Sequence, residues 1–576
     1  MGKLLVYLKG YIKETVLAPL FKMIEACFEL IVPLVVASII DVGIANGDTR
    51  YVMRMCLIMA GLGLAGLVCS VTAQYFSAKA AVSFTAQVRR KLFEHIQNLS
   101  YTEIDEVGTS TLITRLTSDM NQVQNGVNLT LRLFLRSPFI VFGAMIMAFT
   151  IDTKSALVFV AEIILLSIVV FGIMLGCIPL YNKIQGKLDG VLGITRDNLS
   201  GVRVIRAFCK ENEEIKDFEK ANDILTALQK FTGKISALMN PLTFLIINAA
   251  IIILIYIGAI QVNIGLLTQG AVVALYNYMS QILVELIKLA NLIINITKSV
   301  ACGNRIQAVL EIEPSVKEKN TEVNSINSKY IVELNNACLR YKNSAELSLS
   351  NINLKVKAGE TVGIIGGTGS GKTSLVNIIA RFYDVEEGEV LVNGVNVKNY
   401  PTGQLRQLYG IVPQKAVLFK GSIRENMQWG KKDATDEEIC TALKTAQAME
   451  IVDRKDGGLD YVIEQGGKNL SGGQRQRLTI ARALVGNPQI LILDDSSSAL
   501  DYATDAALRK SLREMKNSPA IFIVSQRTSS IRHADKIIVL DDGEAVGIGS
   551  HEELLESCPI YKEINDSQFS KEGNKQ

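Results

Sequence analysis

Apolar and polar positions divide this chain into two unlike halves. Crossing a bilayer as a helix takes about 20 mostly apolar residues. Windows of that kind fall at about 16–40, 52–76, 131–150, 155–179, 238–260 and 271–297. From about residue 330 the apolar runs shorten to strand length, as in Ile331 to Leu339, Ile352 to Val356 and Ile490 to Leu493. Helical periodicity returns between them, most clearly from Thr373 to Phe382. The pattern predicts an all-α six-helix transmembrane domain followed by an α/β domain. The expected domains are 1–15, an N-terminal interfacial helix or else the start of the first span; 16–300, the six spans; 301–329, a linker; and 330–576, the α/β domain.

The connections between spans set the orientation. Asp41 to Tyr51, the turn around Asp152-Thr153-Lys154, and Gln261 to Gly270 are short and poor in Lys and Arg. The two long connections, 77–130 and 180–237, are rich in both. Basic connections stay in the cytoplasm, so these two and both chain ends are expected there, with the short loops outside. Each long connection has room for two helices of about 25 residues. Each also has a polar break, at Tyr101 to Gly108 and at Asp197 to Gly201. Charges within the spans (Glu25, Glu29, Glu162, Glu285 and Lys288) are expensive in lipid and are expected to face a bundle interior or water, as in a polar cavity for cationic or amphipathic cargo, or else to snorkel or pair between helices.

Composition changes this picture little. The 48% hydrophobic content belongs mainly to the first 300 residues, and a net charge of +3 gives no reason to expect nucleic acid as a partner. The nine cysteines are scattered singly and are expected to be reduced packing thiols. Met1 to Lys13 lacks the short apolar core and cleavage site of a secretory signal.

The chemistry lies in the second half. Strand Thr361 to Ile365 runs into Gly366-Gly367-Thr368-Gly369-Ser370-Gly371-Lys372-Thr373, and a helix follows. Strand, glycine-rich loop and helix form the context of a phosphate loop, so the second half is expected to be an α/β domain of the P-loop NTPase kind. Backbone N–H groups and the helix N-terminus receive the phosphates of ATP; Lys372 adds a point charge and the Thr373 hydroxyl a ligand for Mg²⁺. Asp494, at the end of an apolar strand, is placed for the Mg²⁺ shell. Asp495 follows where a general base or water-orienting acid would sit.

About a hundred residues after the phosphate loop stands Leu470-Ser471-Gly472-Gly473-Gln474. This pentapeptide resembles the signature of ATP-binding-cassette (ABC) proteins, which closes on the ATP of another nucleotide-binding domain. Tyr341 resembles the aromatic that stacks on adenine, Gln414 the Q-loop glutamine that approaches Mg²⁺, and Asp501 the aspartate of the D-loop. The six spans fused ahead of the cassette resemble an exporter half-transporter of the type IV class, with coupling helices near 101–112 and 197–212. That resemblance implies ATP hydrolysis coupled to transport in a bacterial cell membrane, with membrane lipid around the spans and a small amphipathic, drug-like or lipid-like molecule as cargo.

Two positions depart from the family pattern. Asp495 stands where Glu is usual, and Gln526, in Ser525-Gln526-Arg527, where the switch histidine is usual. Losing a general base typically costs about 10²–10⁴-fold in rate, so the chain's own site is expected to be slow. The pair of departures resembles the degenerate-site subunit of heterodimeric bacterial multidrug exporters and implies a different half-transporter as partner. The alternatives are a homodimeric peptide or lipid exporter with two slow sites, and a channel-like ABC protein gated by ATP.

Overall fold

The computed structural model describes residues 2–317, 328–342, 344–515 and 517–569. They divide into two compact units: 1–97 with 109–312, and 98–108 with 313–576. Part of the expected linker, and the last residues of the expected α/β domain, lie outside the described residues.

The first unit is built on six long helices: α1 (Leu4–Ile44), α2 (Thr49–Asn98), α4 (Thr109–Ile151), α5 (Thr153–Ser200), α7 (Glu211–Asn263) and α8 (Gln269–Leu310). Each is long and apolar enough to span a membrane. Leu4–Tyr11 is a 3-10 helix that runs directly into the α-helix from Ile12, continuous with the first span. Between α5 and α7 lies the short helix α6 (Val202–Ala207). The helices α1, α4 and α8 pack together, and α5 lies along α7. Their shared core includes Ala26, Ala144, Phe159, Leu254 and Tyr278. Small residues let helices approach closely where lipid gives no hydrophobic drive between them. Along α2, by contrast, Met53, Leu57, Leu64 and Val68 remain exposed, as a lipid-facing surface must.

Some of the intramembrane charges are paired across helices. Arg136 of α4 donates to Glu285 of α8 at 2.8 Å and to both oxygens of Glu29 of α1 at 2.9 and 2.8 Å. Ser137 and Lys288 complete the Glu285 carboxylate at 2.8 Å each. Glu25 pairs with Lys22 at 2.6 Å. Glu162 is buried, and neither of its oxygens has a hydrogen-bond partner among the described residues. A buried ion pair stabilises little by itself, but removing one member strands the other. The network therefore fixes the register of three helices.

The second unit contains α3 (Tyr101–Val107) and two main sheets. Strands β1 (Val332–Leu339), β2 (Leu349–Val356), β4 (Glu387–Val392) and β5 (Val395–Asn396) form an antiparallel sheet in the order β2-β1-β4-β5. The larger sheet contains β3 (Thr361–Gly366), β6 (Tyr409–Val412), β9 (Ile490–Asp494), β10 (Ala520–Val524), β11 (Lys536–Asp541) and β12 (Glu544–Gly549), in the order β12-β11-β3-β10-β9-β6. The remaining strands, β7 (Gly421–Ser422) and β8 (Val462–Ile463), pair with each other. In the larger sheet only the β11–β12 pairing is antiparallel. β3 and β9 are buried at every position, as expected of parallel strands covered on both faces. The helices that matter below are α9 (Lys372–Ile379), α10 (Gly472–Val485), α11 (Tyr502–Arg513), α12 (Thr528–Ile531) and α13 (Pro559–Phe569).

Candidate functional site

Sheet topology brings three motifs together. β3, β10 and β9 are adjacent and parallel, with Val524 in register with both Ile364 and Asp494. The phosphate loop, the Asp494-Asp495 pair and Ser525-Gln526 therefore all leave the same carboxyl edge, where open α/β sheets bind ligands.

The loop's shape depends on glycine at two points. A Cβ on Gly366 would lie 2.0 Å from the Leu540 carbonyl oxygen. Gly371, with φ +94°, enters α9 in the left-handed region, and a Cβ there would meet the Ser348 carbonyl at 2.8 Å. Gly367 and Gly369 face open space. Lys372 Nζ donates to the Gly366 carbonyl at 3.0 Å. Thr373 Oγ1 donates to Asp494 at 3.1 and 3.3 Å. Burial pushes the Lys372 ammonium below its ordinary pKa, opposed by Asp495 and Asp494. Burial raises Asp494, and the neighbouring Asp495 adds to the shift. A divalent cation would reverse the sign of that local field. A hydroxyl and a buried carboxylate side by side are hard oxygen donors of the kind Mg²⁺ takes. The residues present thus fit Mg²⁺ at Thr373 and Asp494, and phosphate at the loop.

A cavity of about 570 Å³ opens over this edge. Thr368, Gly369, Lys372, Thr373, Gln414 and Gln526 contribute to its wall, as does Tyr341. The Tyr341 hydroxyl is 3.0 Å from Ser374 Oγ, and its ring stands edge-on to Tyr383 with centroids 5.0 Å apart. Tyr341 is therefore held at the mouth, where a flat base could stack.

Asp495 adopts φ +47°, and its N–H donates to the Val524 carbonyl at 3.0 Å. Asp tolerates this left-handed region better than most residues, which gives the unusual Asp a local conformational reason. Gln526 is exposed, and its carbonyl accepts from Gln568 Nε2 of α13 at 2.7 Å. The same Gln568 amide accepts from the Thr528 N–H at 2.9 Å and the Thr528 hydroxyl at 3.0 Å. Gln568 thus brackets the switch loop from a helix anchored by the fully buried Tyr561. Sequence reasoning missed this contact. A side chain bonding to backbone at a separation of 42 residues leaves no local pattern to find.

The signature residues lie apart from this cavity. Leu470 is buried in the core beside Leu478. Ser471 caps α10, accepting from the Gln474 N–H, while Gln474 accepts from the Ser471 N–H. Ser471 and Gly472 are exposed at that helix end. Asp501 caps α11 through the Thr504 N–H at 3.3 Å. Among the described residues, the cavity wall includes none of Leu470 to Gln474 and not Asp501.

Comparison with known proteins identifies the architecture. Residues 15–286 match the model of the ABC transporter transmembrane region, and residues 349–498 match that of the ABC transporter. The chain belongs to the ABC transporter family. It is 34% identical to the uncharacterized ABC transporter ATP-binding protein YfiB of Bacillus subtilis (strain 168), over 100% of both chains. It is 32% identical to an ATP-dependent lipid A-core flippase of Desulfotalea psychrophila, over 84% of this chain and 85% of that one. The structure of a bacterial Atm1-family ABC exporter with ATP bound superposes with a TM-score of 0.80 at 22% identity, covering 98% of this chain and 99% of that one. The protein is a multi-pass ABC transporter of the membrane, with a cytoplasmic nucleotide-binding domain that uses ATP and Mg²⁺.

The expected heterodimer is corrected by these findings. The chain aligns over 98% of its length with an Atm1-family exporter and over 84% to 98% with lipid A-core flippases. These relatives, rather than degenerate-site subunits, are what the whole chain resembles, and the inferred partner, a different half-transporter, falls with the earlier resemblance. The error came from weighing two residues above the whole chain. Asp495 has a conformational reason of its own, and an exposed Gln526 held through its backbone is no mark of a particular assembly.

Proposed function

We propose that two copies of this chain form an ATP-driven exporter of amphipathic, lipid-like molecules. One observation carries the two-copy reading. The nucleotide cavity holds the phosphate loop, Tyr341, Gln414 and Gln526, while the exposed end of α10 at Ser471 and Gly472 lies outside it. A helix N-terminus attracts phosphate, so each copy would offer Ser471 to Gln474, with Asp501 beside them, to ATP on the other copy's loop. Lys372 would hold the phosphates, Thr373, Asp494 and Gln414 would surround Mg²⁺, and Asp495 and Gln526 would orient the attacking water. The flippase relatives support lipid-like cargo, and the Arg136–Glu29–Glu285 network supplies a polar site within the spans.

Complementation tests the assembly. K372A and S471A should each lack ATPase activity when reconstituted alone. Mixed before reconstitution, they should recover about a quarter of wild-type turnover, because random pairing leaves one whole site in half of the dimers. No recovery would sink the two-copy reading. The rate is tested separately. In steady-state assays D495E should raise kcat by roughly tenfold or more, because it extends the carboxylate by one methylene toward the water. An unchanged or lower kcat would show that Asp495 already reaches.

A further inference from the structure

At the opposite, amino-terminal edge of the parallel sheet the second unit carries another cavity, of about 440 Å³. It shares no lining residue with the nucleotide cavity. Thr361, which opens β3, and Ile521, at the start of β10, mark its depth. Its floor is apolar, formed by Leu512, Ile521, Ile523 and Ala534. Its rim is cationic. Arg509 is engaged, with Asp505 at 2.8 Å and the Ser529 carbonyl at 2.8 Å. Lys510, Arg513 and Arg532 form no ion pair among the described residues, although the Arg513 guanidinium also donates to the His533 carbonyl; Glu514 is the one carboxylate among the described wall residues. The field registers on the neighbouring His533, which burial and then Arg532, Arg513 and Arg509 hold below the ordinary histidine pKa.

An apolar floor with convergent polar groups, at a volume within the usual range of ligand sites, is the anatomy of a small-molecule pocket. Cations without a carboxylate partner over that floor select against neutral and cationic molecules. We propose that this cleft binds a small amphipathic organic anion, its acid group held by Lys510, Arg513 and Arg532 and its apolar body resting on Leu512, Ile521 and Ile523. The inference does not depend on the two-copy reading. The cleft joins α11, which Asp501 caps, to α12, which starts two residues after Gln526. Ser530 of α12 lies 3.5 Å from both Ser497 Oγ and Asp505 Oδ2. A ligand spanning the two helices therefore ties the D-loop side of the site to the switch side.

Naphthalene-2-sulfonate is a suitable probe. It would be titrated calorimetrically into the full-length protein in lipid nanodiscs, with the nucleotide site saturated by a non-hydrolysable ATP analogue and Mg²⁺. We expect saturable binding that K510Q/R532Q weakens roughly tenfold or more, while K510R/R532K keeps it within about threefold. Unchanged affinity for the ATP analogue certifies that both variants are folded. Equal sulfonate affinity in wild type and K510Q/R532Q would overturn the proposal, because the probe would then bind elsewhere. Equally tight binding of neutral 2-naphthol would overturn it too, because the cations would then do nothing.

Discussion

The two cytoplasmic breaks in the long helices differ in how much of their surface is satisfied. At the first, α3 is part of the second unit. The Tyr101 ring lies 4.6 Å from that of Phe382, the Tyr383 hydroxyl donates to Asp105 at 2.6 Å, and Lys342 pairs with Glu106 at 2.8 Å. Glu103 is buried and accepts from the N–H groups of Ser100 and Ser315. At the second, α6 presents bare apolar side chains: Val204 is 60% and Phe208 72% exposed. Exposed apolar surface of this kind, away from the spans, marks an interaction site. One break finds its partners within its own unit, and the other leaves apolar side chains exposed. Under the two-copy reading, the second copy would cover them.

The largest expected effect comes from the bare break. F208D places a charge on surface that a partner would bury, where an unpaired charge is costly. ATPase activity in nanodiscs should fall by roughly tenfold or more. The melting temperature of the monomeric chain should not move, because Phe208 is exposed in the single chain. An unchanged rate would remove the contrast between the two breaks.

A smaller effect is expected at the satisfied break. Y383F deletes the hydroxyl that donates to Asp105 and should destabilise the second unit by about 1 kcal/mol, read as a lowered melting transition. Burial and then Asp105 hold the Tyr383 hydroxyl well above the usual tyrosine pKa. The group stays neutral when folded, so its contribution is fully present below the unfolded pKa and is lost as pH rises beyond about 10. The gap between wild type and Y383F should therefore be flat at neutral pH and close in alkali. A gap that widened in alkali would contradict the assignment.

How much of this was legible beforehand follows from the range of each interaction. The six spans depend on local hydropathy, and the windows at 16–40 through 271–297 lie within the six long helices. The phosphate loop depends on consecutive residues, and β3, Gly366 to Thr373 and α9 follow the expected order. Polar breaks at Tyr101 and Asp197 were equally visible, but nothing in their composition says that one lies against Phe382 and Tyr383 while the other is bare. Lys22 and Arg136 were overlooked as partners for the intramembrane acids. Arg136 and Glu285 are 149 positions apart, and only the packing of α4 against α8 brings them together. The assembly was misread for the opposite reason. Asp495 and Gln526 were legible, but their identities carry less information about a partner than the alignment of the whole chain.

The smallest effect separates what holds α3 from what merely decorates it. Lys342 and Glu106 are 58% and 42% exposed at their side chains. An exposed ion pair gains little, because water and salt screen the charges and both long side chains must be held still. K342Q should leave the melting transition of the second unit unchanged within error at 0.15 M salt, where Y383F lowers it. If K342Q were the more damaging of the two, α3 would be held by charge rather than by the tyrosine cluster. Raising the salt concentration should then release it in the wild-type protein as well.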